Sequence, residues 1–255
     1  MTKITPADGF AVVTGAGSGL GRALAVQLCA AGFSVVGTGR RAEALQETAA
    51  LCDGPFDAVP LDVADFEAVR QGFAASVARH GPMALLINNA AVYPKRDLFE
   101  ETPELFWHSM AINLGGVYAC SWAALQDMAP RGSGRILNVS SYADMAPLPA
   151  SAAYSVSKGA QRVLTRALIA DLFDRFPGIV ISDWLPGALA TGMGIPDGLP
   201  PEIAARWGVK LALMRDPSLN GTIFERDIEL LPPRGLKTKL KDAVLMRRPR
   251  PRNLS

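Results

Sequence analysis

Tyr154 and Lys158 stand four residues apart in Tyr154-Ser-Val-Ser-Lys158, a spacing that sets both on one face of a helix. A free tyrosine titrates near 10, so a phenol acting as a base at neutral pH needs its pKa lowered by roughly 3 units, about 4 kcal/mol. An ammonium beside the phenol favours the phenolate and supplies a shift in that direction. The pair predicts either a proton-exchanging centre or an ordinary Tyr–Lys pair on an exposed helix face. Ser141, at the end of Asn138-Val-Ser-Ser141, offers a hydroxyl donor to an oxygen on which negative charge develops. Ser140 is its rival, although neighbours at a strand end point opposite ways. The other chemistry-bearing stretch is Thr14-Gly-Ala-Gly-Ser-Gly-Leu-Gly21. Glycines between a strand and a helix let the backbone approach a phosphate, and the helix N-terminus presents unpaired N–H groups to it. No Gly-Lys-Ser/Thr follows, which excludes a nucleotide triphosphatase loop.

These residues need a scaffold, and the hydropathy pattern supplies one. Phe10 to Thr14 reads as a buried strand and Leu20 to Ala31 as a helix; Phe33 to Thr38 is a second strand and Ala42 to Leu51 a helix. Phe56 to Leu61, Ala84 to Asn88, Arg135 to Ser140 and Ile179 to Leu185 read as further strands, with Thr102 to Met128 and Ala152 to Phe173 helical between them. Near-continuous apolar strands alternating with helices predict an α/β fold with a single doubly wound, Rossmann-like parallel sheet and helices on both faces. The sequence contains no internal repeat and no early linker, so one domain over residues 1–255 is expected. A Gly- and Pro-rich substrate loop is expected at about 187–215, including a short helix from Pro201 to Leu213, and an irregular basic tail at about 234–255.

The 255 residues are 49% hydrophobic and 20% charged, with 26 Lys+Arg against 24 Asp+Glu, which excludes a disordered or fibrous chain. The tail carries eight Lys/Arg against one Asp, leaving 18 basic against 23 acidic residues elsewhere. That asymmetry suits an anionic partner or an end that packs on an acidic body; with no aromatic residues interleaved, nucleic acid is not expected. No apolar run reaches the roughly 20 residues of a membrane span, and the N-terminus has no signal-like apolar stretch. The three cysteines, Cys29, Cys52 and Cys120, lack metal-ligand spacing, so neither a metal nor a disulfide framework is expected. A cytoplasmic protein is the expectation.

The glycine segment, read as Thr-Gly-x-x-x-Gly-x-Gly through Gly15, Gly19 and Gly21, resembles that of the short-chain dehydrogenase/reductase family. Asn88-Asn-Ala-Ala91 resembles the family's Asn-Asn-Ala-Gly, Asn113 stands at its helix-four Asn, and Ser141, Tyr154 and Lys158 keep its order and spacing. Pro186-Gly187 with Thr191 resembles its nicotinamide-side motif. The resemblance spans about Phe10 to Thr191 and fades beyond, where Gly221-Thr-Ile-Phe-Glu-Arg-Asp occupies the place of the seventh strand. It implies an NAD(P)-dependent oxidoreductase moving a hydride between nicotinamide and a carbonyl or secondary alcohol. Asn113, Ser141, Tyr154 and Lys158 would be catalytic, with Tyr154 as acid/base, Asn113 holding a water that relays protons and Lys158 also binding the nicotinamide ribose.

The resemblance further implies a cofactor site of Gly15, Ser18, Gly19, Leu20, Gly21, Arg40, Asp62, Val63, Asn89, Ala90, Tyr154, Lys158, Pro186, Gly187 and Thr191. Gly39 stands where the family's NAD-selecting Asp is expected and Arg40 follows it. A guanidinium suits a 2′-phosphate, so NADP(H) is expected with NAD(H) possible, unless Arg40 and Arg41 merely open a helix in solvent. Ser18 is not the basic residue that is often a second NADP determinant in this family. Substrate contacts are expected from Ser141, Tyr93, Tyr142, Met145, Ala188 and Met193, with Leu148, Leu185 and Trp207 also near. Lys95 and Arg96 either meet an anionic substrate or are simply solvated. The alternatives are a 3-oxoacyl thioester reductase and a non-catalytic nucleotide-sensing or scaffold protein. A homodimer or homotetramer is the expected assembly.

Overall fold

The computed structural model describes residues 3–232 and 250–255; of the basic tail expected at about 234–255, residues 234–249 lie outside them. Among the described residues the chain runs β1 (Phe10–Thr14), α1 (Gly19–Ala30), β2 (Val35–Gly39), α2 (Ala42–Ala49), β3 (Phe56–Pro60), α3 (Phe66–His80) and β4 (Met83–Asn88). It continues with α4 (Pro103–Met110), α5 (Gly116–Arg131), β5 (Ser133–Val139), α6 (Ala152–Leu172), β6 (Gly178–Leu185), α7 (Pro201–Ala212), β7 (Ile223–Glu225) and β8 (Ile228–Leu230). The strands form one sheet in the order β3-β2-β1-β4-β5-β6-β7-β8. Neighbours from β3 through β7 pair in parallel, and β8 alone runs antiparallel. The order reverses direction between β1 and β4, where a crevice opens at the carboxyl ends of the strands.

The strands read as unbroken apolar runs because both faces are covered. Ala11, Val13, Leu85, Ile87 and Leu137 pack with Leu24 and Leu28 of α1 and Leu211 of α7. Phe10, Val12, Leu86 and Ile136 point the other way, onto Phe73 of α3 and Cys120 and Met128 of α5. Full burial of one such side chain contributes about 1.5–3 kcal/mol, so these two layers fix the register of every central strand.

The structure departs from the sequence expectation in two places. The helix expected from Thr102 to Met128 is interrupted by a π turn at Ala111–Gly115, which holds Asn113. Such turns carry an extra residue and mark sites where a side chain is wanted at a fixed place. The seventh strand is β7, but the chain then reverses at Arg226, whose φ is 51°, to add the antiparallel β8. That edge is covered by the chain end: Ile228 bridges Asn253, Leu254 is buried, and its N–H donates to the Asp227 carbonyl at 2.7 Å. Covering an edge strand removes a template for unwanted pairing.

Candidate active site

The crevice is a cleft of about 1300 Å³ along the carboxyl ends of the strands. Its floor is the turn from β1 into α1. Gly15 has φ 68° and Gly19 φ 51°, the left-handed region that side chains disfavour. A Cβ on Gly21 would lie 2.1 Å from the Gly15 carbonyl oxygen and 2.5 Å from Asn89 Nδ2, so the turn closes only around glycine. Thr14 Oγ1 accepts the N–H groups of Asn89 and Ala90, each at 3.0 Å, and Asn89 Nδ2 donates to the Thr14 carbonyl at 2.9 Å. These bonds lock the ends of β1 and β4 side by side. Ser18, at the head of α1, makes no side-chain cap, and the first turn holds no acidic residue. Its N–H groups and the positive end of the helix dipole are therefore available to an anion.

The remaining nucleotide-side residues of the sequence reading also line this cleft. They are Leu20, Arg40, Asp62, Val63, Pro186, Gly187 and Thr191; Arg41 and Ser140 join them without having been assigned to the site. Arg40 and Arg41 are both exposed. Arg22, by contrast, is tied to the Gly17 carbonyl at 2.6 Å, Thr48 Oγ1 at 3.1 Å and Glu47 at 2.7 Å, where it pins the turn to α2. Phosphate oxygens on the glycine turn and a charged group beside the two arginines suit this donor set, so the residues fit a dinucleotide.

Tyr154, Lys158 and Ser141 line the same cleft, at the start of α6 and just past β5. Burial holds the Tyr154 phenol above its usual range; the Ser141 hydroxyl works downward and Tyr93 upward. The expected lowering by Lys158 is not what the geometry gives. The ammonium lies 6.0 Å from the ring centroid and donates instead to the Val139 carbonyl at 2.8 Å and Gln161 Oε1 at 2.9 Å. Burial brings Lys158 itself down to about 8, against the pull of the Asp183 carboxylate. Ser141 heads a 3-10 turn, its Oγ accepting from the Ala143 N–H at 3.1 Å. Ser140 also lines the cleft, because β5 ends at Val139 and strand alternation no longer applies beyond it. Its buried hydroxyl has no hydrogen-bond partner among the described residues.

Asn113 does not line the cleft, although its side chain reaches the back of the site. Its Oδ1 accepts from the Val92 N–H at 2.8 Å, and its Nδ2 donates to the Val92 carbonyl at 2.9 Å and Ser157 Oγ at 3.0 Å. The side chain clamps the loop after β4 onto α6.

On the substrate side, Tyr93, Tyr142, Ala188, Met193, Leu148 and Leu185 line the cleft, as does the exposed Lys95. The Tyr93 and Tyr154 rings are stacked, and the Lys95 ammonium sits 5.6 Å from the Tyr93 centroid. The Tyr142 hydroxyl donates to Glu225 Oε2 at 2.8 Å, tying the loop after β5 to β7. Met145 is not brought to the cleft: its sulfur accepts from Arg162 Nη1 at 3.6 Å, and Arg162 is also paired with Asp144. Trp207 packs against the core. Arg96 is turned toward Glu101, 4.0 Å away, whose carboxylate accepts the Ala153 N–H at 3.1 Å and so caps the helix that carries Tyr154. Among the described residues no cluster of acidic, His or Cys side chains is placed to hold a metal, and no helix is long and apolar enough to cross a membrane.

Comparison with known proteins agrees with this geometry. A family model described as short chain dehydrogenase matches residues 9–198. The chain is 38% identical over 163 residues to L-xylulose reductase from Mesocricetus auratus, covering 64% of this chain and 65% of that protein. It is 34% identical over 197 residues to carbonyl reductase 2 (NADPH) from Sus scrofa, covering 77% and 78% of the two chains. Among solved structures it is similar to a 3-ketoacyl-ACP reductase from Sinorhizobium meliloti 1021, with TM-score 0.75 and 25% identity over 85% of this chain and 96% of that one. With a family model matching well over half its length, and Ser141, Tyr154, Lys158 and the glycine turn lining one cleft, the chain belongs to the short-chain dehydrogenase family.

Proposed function

We propose that the protein moves a hydride between NADP(H) and a ketone or secondary alcohol with an apolar body, Tyr154 acting as acid and base. The observation that carries this reading is the convergence of Tyr154, Ser141 and Lys158 on the same cleft as the glycine turn. When bound, the nicotinamide ring would supply or accept the hydride.

The protein's own part follows from its groups. Gly15, Ser18, Gly19, Leu20 and Gly21 hold the pyrophosphate, Asp62 and Val63 the adenine, and Asn89, Ala90, Pro186, Gly187 and Thr191 the nicotinamide end. Ser141 donates to the substrate oxygen as charge grows on it. The Tyr154 phenol, raised by burial, is protonated at neutral pH and delivers its proton to that oxygen during reduction. Lys158 has two N–H groups bonded to the protein, leaving one for the ribose. Asn113 keeps the loop carrying Tyr93 against α6. Arg40, helped by Arg41, supports NADP(H) over NAD(H): two exposed guanidiniums line the cleft, and Gly39 stands where an acidic residue would select NAD(H).

A 3-oxoacyl thioester reductase is the second reading. It is favoured by the exposed Lys95 at the substrate side and by the likeness to a 3-ketoacyl-ACP reductase. Incubating the protein with a panel of ketones and acyl thioesters and following NADPH absorbance separates the readings. Consumption with ketones of apolar body is expected. Tight nucleotide binding with no consumption on any substrate would overturn both in favour of a nucleotide-sensing protein.

We also propose a cytoplasmic homodimer or homotetramer. Trp107, Tyr118 and Trp122 on α4 and α5 stand exposed, a large apolar presentation for a lone chain, and all three cysteines are free thiols. Light scattering at micromolar concentration is expected to give two or four chains; a monomer mass would refute the assembly.

A further inference from the structure

The stripe of α6 that faces the sheet is polar. Lys158, Gln161 and Thr165 follow at helical spacing and are each at most 2% exposed, while Val156 and Val163 on the outer face are more than half exposed. A buried polar group left unpaired costs about 1–3 kcal/mol, and a buried charge costs more. An inverted helix face of this kind persists only if its groups satisfy one another, and they do. Gln161 Oε1 accepts from Lys158 Nζ at 2.9 Å, and Gln161 Nε2 donates to the Val139 carbonyl at 3.2 Å, the same oxygen that accepts from Lys158 at 2.8 Å. The amide is thus held at both ends. Flipping it would turn an NH2 group toward an ammonium.

Behind this ring lies one carboxylate. Asp183 of β6 is 2% exposed, and its Oδ1 accepts from Thr165 Oγ1 at 3.0 Å. Thr165 also accepts from Asn138 Nδ2 at 2.9 Å, and Asn138 Oδ1 accepts from Asn88 Nδ2 at 2.8 Å. We propose that Gln161 is a positioning residue for the Lys158 ammonium, and that Asp183, buried behind the same polar stripe and tied to it through Thr165, is the carboxylate that balances the ammonium's charge. Lys158 and Asp183 act on each other electrostatically, each favouring the other's charged form against burial. The other charges about them are Arg162 and Arg166 on α6, which also act on Asp183, and Arg135 of β5, whose guanidinium bonds Ser182 Oγ at 2.5 Å. Tyr154 and Tyr93 face the cleft side, Asp144 is engaged by Arg162, and Glu101 caps the head of α6.

The proposal deepens the role given to Lys158 in hydride transfer and rests on that reading only for its kinetic arm. The test is an NMR titration of Lys158 in the full chain carrying lysine labelled at Cε, compared across wild type, Gln161→Leu, Gln161→Met, Gln161→Glu and Asp183→Asn. NADPH affinity and the pH profile of kcat/KM are measured alongside. With leucine or methionine, Lys158 is expected to titrate about half a unit or more lower. NADPH binding should weaken by about tenfold, and the lysine limb of the pH profile should move with the titration. Glutamate, which restores an acceptor, is expected to return the titration to or above the wild-type point, and Asp183→Asn to lower it. Methionine keeps the side-chain volume should leucine fail to fold. Unchanged Lys158 titration and NADPH affinity in folded Gln161 variants would overturn the positioning role, and an unchanged titration in Asp183→Asn the counter-charge. If no carbonyl is turned over yet the titrations shift as stated, the functional reading fails and this one stands.

Discussion

The ring of Tyr93 lies on the ring of Tyr154, with centroids 4.5 Å apart and planes 21° from parallel. A loop residue after β4 thereby covers the phenol that α6 presents. Such a stack adds about 0.5–1.5 kcal/mol beyond the area it buries. It also keeps water from the phenol, and burial is what holds the Tyr154 pKa up. Replacing Tyr93 by Ala admits solvent and is expected to move the phenol's ionisation to lower pH, whereas Tyr93→Phe retains the stack and leaves it nearly in place. Ultraviolet titration of the phenolate, compared between the two variants, checks this; coincident curves for Tyr93→Ala and Tyr93→Phe would refute the covering role.

Tyr154→Phe removes one hydroxyl and leaves the stacked ring in place. Loss of a positioned proton donor lowers turnover by about 10²–10⁴-fold. Most of the nucleotide side of the cleft is built from other residues, and the phenylalanine ring keeps the shape of the tyrosine, so NADPH affinity should change by less than about threefold, under 1 kcal/mol. Single-turnover rates and fluorescence binding measure the two separately. A variant that retains most of its turnover would remove Tyr154 from the proton-transfer role.

Much of this arrangement was legible in the chain, and what was not has a common cause. Strands buried on both faces announce themselves as apolar runs, and the glycine turn, Ser141, Tyr154 and Lys158 stand at intervals that the fold preserves. The polar stripe of Lys158, Gln161 and Thr165 gave no such signal, because a hydropathy pattern assigns polar residues to solvent, whereas Lys158 and Gln161 bond the Val139 carbonyl and Thr165 bonds Asn138 and Asp183 within the core. Arg41 and Ser140 reach the cleft through positions just past strand ends, where alternation stops deciding direction. Met145 reads as an apolar wall residue, but its neighbour Arg162 takes its sulfur away from the cleft. The strand β8 depends on a reversal at Arg226, where no glycine or asparagine marks the turn.

Arg40 offers the clearest handle on nucleotide choice. A hydrogen bond to a charged group contributes about 1.5–3 kcal/mol, roughly 10- to 150-fold in affinity. Arg40→Ala is expected to weaken NADPH by a factor in this range and to leave NADH within about twofold. Arg41, exposed beside it, makes Arg40→Ala/Arg41→Ala the more complete loss. Catalytic efficiency with the two nucleotides is the measurement, and an equal drop for both would show that the guanidinium does not read the 2′-phosphate.

Stability should carry the imprint of the buried pair behind the cleft. Burial raises Asp183 from 3.8 to about 7, so between those values the folded chain holds a proton that the unfolded chain has released. Stability falls as pH rises through that window. Lys158 is depressed from 10.5 to about 8, so over that alkaline interval the unfolded chain holds the extra proton and stability rises with pH. The two contributions leave their least stable point between about pH 7 and 8, where both buried groups are charged. Asp183→Asn removes the descending limb; it also starts the ascending limb at lower pH, since the ammonium has lost its counter-charge. Urea midpoints collected from about pH 5 to 10 resolve both limbs against the m-value. Superimposable profiles for the wild type and Asp183→Asn would mean that the carboxylate does not bear its charge in the core.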